Sequence, residues 1–136
     1  MRRALPLLLV LPLAACGGTS ASRGPAGMVA APPSIAGHGT AAASAGRIDV
    51  RMGDDYFRPS TVRAPAGSQV AIALENVGEV AHAFNVAGDG QKVDVIVQPG
   101  HRATARVRIP RTGRLLFFCK LHWSRGMAGY LEPTSR

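Results

Sequence analysis

The stretch GRLLFFCKLHWSRGMAGYLEP, residues 113–133, decides how this 136-residue chain folds. Its opening, Leu115 to Phe118, is a nearly continuous apolar run, which suits a β-strand buried on both faces. Its end, AGYLEP, reads as a short final strand. Between the two lie one thiol, one imidazole and one thioether: Cys119, His122 and Met127. The Cys ends a strand, the His follows in the loop, and the Met closes the loop as the last strand begins. One short loop thus carries three soft or borderline metal ligands between two strands.

Outward from this stretch the same short-strand grammar continues. RIDVRM alternates Ile48, Val50 and Met52 with charged residues, the period of a half-buried strand. GDDYFRPSTVRAPAGS is rich in turn formers, with Phe57 and Val62 as core anchors. QVAIALEN alternates Val70, Ile72 and Leu74, and Asn76-Val77-Gly78 reads as a turn. VAHAFNVA places Phe84 and Val86 on one face. VDVIVQPGH is a strand ending in a Pro-Gly turn, and ATARVRIP alternates Val107 and Ile109 with Arg. No stretch offers a capped 3.6-residue period. Residues 47–136 therefore read as an all-β domain, a Greek-key β-sandwich of short strands roughly 8–12 residues apart. So small a domain buries a modest core, and a bound metal adds to its stability.

Before this domain the composition changes. MRRALPLLLVLPLAAC has a cationic start and an apolar run too short to span a bilayer, so residues 1–15 read as a signal peptide. LAAC resembles the lipobox of bacterial lipoproteins, which implies that Cys16 becomes the lipidated first residue of an exported, membrane-anchored protein facing the periplasm or the cell exterior. Residues 16–46 are Gly, Ala, Ser and Pro with almost no charge, a linker whose mean span as a flexible coil is about 30 Å. Met28 and His38 fall inside it and read as solvated.

Charge and cysteine count narrow the function. The chain carries 16 Lys+Arg against 8 Asp+Glu, a net charge of +8. The Arg residues are scattered and aromatics are sparse, so no nucleic-acid platform is visible. The excess suits steering towards an acidic partner or an anionic surface. Of two cysteines, lipidation of Cys16 leaves Cys119 without a disulfide partner. A free thiol in an oxidising compartment is a liability that a metal bond removes.

His82, in EVAHAFNV just after a turn, supplies a fourth candidate ligand. Two imidazoles, one thiolate and a weak axial thioether make a blue-copper electron-transfer site. Each of these residues alone would more often be packing or decoration, but four of them in this pattern, with an unpaired thiol, make that reading weak. Zinc usually recruits a second Cys or a carboxylate, and Met suits it poorly.

From about Arg47 to Glu132 the chain resembles the cupredoxin family, in particular the plastocyanin, pseudoazurin and amicyanin group. The resemblance is carried by YFRPSTVRAPAG, HAFNV, QPGH and residues 113–133. It implies one type 1 copper ion with His82, Cys119 and His122 as equatorial ligands and Met127 as the axial one. It also implies a monomeric one-electron carrier, not an enzyme, with His122 reaching a docking surface. Leu121 and Trp123 would form that surface, with Lys120 and Arg125 flanking it and an acidic rim on the redox partner. Copper storage, delivery or sensing is the alternative, against which the tightly holding thiolate argues. Two departures stand out. The position after the first His, polar in many relatives, is Ala83, and Asn85 lies too far along the strand to be expected to replace it. Trp123 beside His122 is unusual. His101, in the distal Pro-Gly turn, takes no ligand role.

Overall fold

Alternation of apolar and charged residues along Arg47–Gly53 produces the pattern it predicts: Ile48, Val50 and Met52 face inward and Arg47, Asp49 and Arg51 face solvent. The computed structural model describes residues 34–134. The segment read as a signal peptide, Cys16 and Met28 lie outside the described residues.

Ten strands form two layers. They are β1 (Thr40–Ala42), β2 (Arg47–Gly53), β3 (Tyr56–Arg58), β4 (Thr61–Ala64), β5 (Gln69–Asn76), β6 (His82–Gly88), β7 (Gln91–Val97), β8 (Arg102–Arg108), β9 (Leu115–Phe118) and β10 (Ala128–Pro133). One sheet runs β1-β4-β10-β9-β6-β7 and the other β3-β2-β5-β8. Non-sequential neighbours in both sheets make the expected Greek-key sandwich. β10 lies between β4, to which it is parallel, and β9, to which it is antiparallel.

Both layers contribute to one core. Phe57 of β3 meets Phe84 of β6 and Phe117 of β9 edge-on, with ring centroids 6.0 and 5.1 Å apart. Phe84 and Phe117 stack at 5.1 Å. Offset and edge-on geometries suit the ring quadrupoles and add to the burial of the rings. Val62, Ile72, Leu74 and Leu131 fill the space around them, all essentially without solvent exposure. On the outer face of the four-stranded sheet Arg51 and Arg102 both reach Glu75, exposed pairs of small energetic weight.

Two expectations are corrected. Residues 34–46 were read as linker, yet β1 lies there. It pairs in parallel with β4, Ala43 N–H donates to the Arg63 carbonyl at 2.7 Å, and Ser44 bridges to Arg47. The ordered sandwich begins before Arg47. β1 escaped notice because Thr40-Ala-Ala is too short and small-chained to show a period; its partner strand places it. The second correction concerns β9. Only Phe117 of the run Leu115–Phe118 is fully buried. Phe118 is half-covered by Trp123, whose ring lies edge-on at 5.1 Å.

Candidate metal centre

The loop from Asn76 to His82 is set by one buried amide. Asn76 Nδ2 donates to the carbonyls of Val80 and Val97, each at 2.8 Å, and its Oδ1 accepts from Gly78 N–H at 2.9 Å. This Asx-type turn delivers His82 to the first position of β6. His82 is wholly buried. From the neighbouring strand, β9 delivers Cys119, also wholly buried and not in a disulfide.

The loop between β9 and β10 is folded by its own backbone. Cys119 N–H donates to the Met127 carbonyl at 2.9 Å, and His122 N–H to the Cys119 carbonyl at 3.1 Å. A single 3-10 turn, Trp123–Arg125, follows and ends at Gly126. Gly126 has φ +80, and a Cβ there would strike the Ser34 carbonyl, so the described chain starts packed against the ligand loop. Met127, next in sequence, is wholly buried.

The candidate ligand atoms converge. His82 Nδ1 and His122 Nδ1 lie 3.1 Å apart, and Cys119 Sγ lies 3.4 Å from His122 Nδ1. His82, Cys119 and His122 place one ligand atom each within 4.8 Å of one another. Two nitrogens about 2.0–2.1 Å from one ion at a tetrahedral angle stand roughly 3.3 Å apart, and a nitrogen and a thiolate sulfur roughly 3.6 Å. The two spacings from His122 Nδ1, 3.1 and 3.4 Å, match these values within a few tenths of an ångström. Met127 joins them through the backbone: its carbonyl holds Cys119 N–H, and its own N–H reaches the His122 carbonyl at 3.4 Å. His101 is engaged elsewhere, its ring at 2.9 Å from the Pro99 carbonyl. His38, expected to be solvated, is half-buried instead: its N–H donates to Ser60 Oγ at 2.7 Å and its ring lies tilted on Tyr56, 4.7 Å between centroids. Neither belongs to the cluster.

Three groups around the cluster escaped the sequence reading. Ala83 N–H donates to Cys119 Sγ at 3.3 Å. Asn85 does bridge the two ligand segments: its Oδ1 accepts from Lys120 N–H at 3.1 Å, and its Nδ2 donates to Asp94 at 2.9 Å. The link that Ala83 cannot make is therefore made from two residues further on, because β6 and β9 are paired with Asn85 opposite Phe118. The third is Asp54, in the turn between β2 and β3. Its Oδ1 lies 3.1 Å from His82 Nε2 and accepts from Glu79 N–H at the same distance. Only pairing and register, invisible in a linear pattern, place these three.

Burial pushes the His82 imidazole below its usual pKa, against the opposing pull of the Asp54 bond. Desolvation raises the Asp54 carboxyl, but the bonds from His82 and Glu79 N–H outweigh it and hold it below the ordinary range. A neutral ring whose Nε2–H faces Asp54 leaves the Nδ1 lone pair pointing at the cluster.

At the surface Leu121 is 49 % exposed, as are comparable shares of Val77 and Val80 in the loop before His82. Lys120 and Arg125 are both engaged within the chain, Lys120 Nζ with Asp94 at 2.6 Å and Arg125 with Asp55 at 3.3 Å. Trp123 is half-buried against Phe118.

A two-sheet Greek-key sandwich gathering two imidazoles and a buried cysteine sulfur at one end belongs to a class of protein built to hold a soft transition metal. Residues 26–130 match the family of cupredoxin-like domains, and the chain belongs to that family of copper-binding and electron-transfer proteins. It is 36% identical over 86 residues to the copper-resistant cuproprotein CopI of Pseudomonas aeruginosa, covering 62% of this chain and 44% of that protein. The chain thus matches less than half the length of that relative. Its fold is similar to that of dithionite-reduced auracyanin from Roseiflexus castenholzii (TM-score 0.56, 14% identity, 68% of this chain and 100% of that one). It is also similar to auracyanin B (TM-score 0.55, 17% identity, 77% and 97%) and to a chain of a heme-copper terminal oxidase dimer (TM-score 0.53, 20% identity, 65% and 64%). At these identities the likeness is one of fold.

Proposed function

We propose that the chain is an exported, membrane-tethered carrier of single electrons that holds one type 1 copper ion and is not itself an enzyme. The observation that carries this reading is the convergence of His82 Nδ1, His122 Nδ1 and Cys119 Sγ at one end of the sandwich. His82, Cys119, His122 and Met127 would hold the ion. Copper bound there supplies a one-electron couple, Cu(II)/Cu(I).

The chain's own residues do the rest. Ala83 N–H stabilises negative charge on the Cys119 sulfur. Asn85 ties the strand that carries His82 to the residue after Cys119, so both ligand segments keep their separation. Phe117 keeps water from the strand leading to the thiolate. His122, half-buried beside exposed Leu121, is the ligand nearest to solvent. Docking to redox proteins is proposed over Leu121 with Trp123 at its edge and Lys120 and Arg125 beside it. The tether from Cys16 would hold the carrier near a membrane-bound partner.

Optical and EPR spectra of the copper-loaded protein test this. An intense thiolate-to-copper band with narrow hyperfine splitting, bleached by ascorbate, is the expected outcome. A weak band with broad splitting would mean that Cys119 is not a ligand. Similarity to a copper-resistant cuproprotein favours a second reading, copper storage, delivery or sensing. A carrier keeps its copper through repeated redox cycles, whereas a delivery protein loses Cu(I) promptly to a competing chelator.

A further inference from the structure

We propose that Asp54 is a positioning residue of the metal centre. Its carboxylate fixes the His82 ring through Nε2, and its charge favours the oxidised ion and so keeps the reduction potential low. This rests on the copper reading above.

Four observations carry it. Asp54 Oδ1 is 3.1 Å from His82 Nε2, on the side of the ring opposite the Nδ1 that faces the cluster. The ring is wholly buried, so no water competes for that nitrogen. The carboxylate is itself held from behind, Glu79 N–H lying 3.1 Å from Oδ1 and 3.3 Å from Oδ2. Finally, the backbone makes room for the pair: a Cβ on Gly78 would come 2.3 Å from Asp54 Oδ1 and 2.8 Å from His82 Nε2. A side chain at that position would wedge the two apart.

The charge is also left free to act. Among the described residues Asp54 forms no ion pair with Lys or Arg; His82 is its one charged-type partner. A carboxylate accepting from the remote ring nitrogen of a ligating His fixes the tautomer and ring orientation and makes the ligand more basic. A more basic donor next to a fixed negative charge stabilises the more positive state of the ion more than the less positive one. The side-chain hydrogen bonds of Asp54 go to Glu79 N–H and His82 Nε2, so its influence passes through the His82 imidazole.

The test compares wild type, Asp54→Asn and Gly78→Ala as full chains. Asn retains an Oδ1 that can accept from both His82 and Glu79, so the substitution removes charge and keeps the bond. Spectroelectrochemical titration of the copper-loaded proteins should show Asp54→Asn raising the potential. The expected size is about a tenfold change in the ratio of Cu(I) to Cu(II) affinity, equivalent to about 59 mV for one electron. Gly78→Ala, which separates the pair with no change of charge, should shift the potential in the same direction. A wild type with the thiolate band whose potential neither variant moves overturns this proposal alone. A wild type without that band overturns it together with the carrier reading. Should both variants fail to fold, the metal-free wild type decides by NMR. A His82 ring in the Nε2–H tautomer supports the bond to Asp54, and one in the Nδ1–H tautomer, which leaves Nε2 without a proton to donate, overturns it.

Discussion

On the proposed copper reading Met127 and Asn85 act on the metal centre in different ways, and substitution separates them. Met127→Gln exchanges a weak thioether for a harder oxygen donor. The expected outcome is retained copper with a potential lower by more than about 59 mV, one decade in relative affinity. Voltammetry checks it, and an unchanged potential would refute an axial role. Asn85→Ala leaves Lys120 N–H without its acceptor and Asp94 without one donor. A lost buried hydrogen bond with a group left unsatisfied costs about 1–3 kcal/mol, so thermal melting of the metal-free protein should fall by several degrees. At this scale the sequence showed the side chains whose chemistry is rare, His82, Cys119, His122 and Met127. It could not show Ala83 N–H, Asn85 or Asp54. An ordinary amide, a strand backbone and a turn carboxylate become part of a site only through what stands opposite them.

Elements give a different ratio of foresight to surprise. Strands with a strict period, such as Arg47–Gly53 and Gln69–Asn76, were readable because alternation is the direct imprint of one wet and one dry face. β1 was unreadable because Ala and Thr at an edge carry no such imprint. The apolar run of β9 suggested burial on both faces, but Trp123 from the following loop is what covers its outer side. Phe117 joins the layers, so Phe117→Ala should cost about 3–5 kcal/mol, measured by chemical denaturation of the metal-free protein. The link between β6, β7 and the loop after β9 also has a pH signature. Asp94 is held below the ordinary carboxylate range by its bond from Lys120, with Asn85 adding to the effect. A depressed carboxyl contributes stability that is present above its unfolded pKa and is lost as pH falls through the folded value. Melting temperature measured downwards from about pH 4 should therefore fall more steeply in wild type than in Asp94→Asn.

For the molecule as a whole, the boundary of the sandwich and the character of its proposed docking end follow from these details. A fragment beginning at Arg47 lacks β1 and leaves the edge of β4 unpaired, so it should melt lower and aggregate more readily than a fragment beginning at Ser34. Electron exchange with a redox partner should depend only shallowly on salt. A partner's acidic rim has to compete with Asp94 for Lys120 and with Asp55 for Arg125. Stopped-flow rates across an ionic-strength series measure this, and a steep decline would show that both cations are released on contact. Composition made the excess of positive charge plain, but not where that charge is already spoken for.

The position of β10 between β4 and β9 also sets an order in time. Cys119, His122 and Met127 all precede β10, and β10 must zip onto a partner made more than sixty residues earlier. Closing so long a loop is a late and slow event in folding. Until it happens the thiolate has no enclosure, and neither Met127 nor the Cys119 N–H has its place. On the proposed copper reading the metal is taken up only after this closure, and the interval before it is when an oxidant can reach the sulfur.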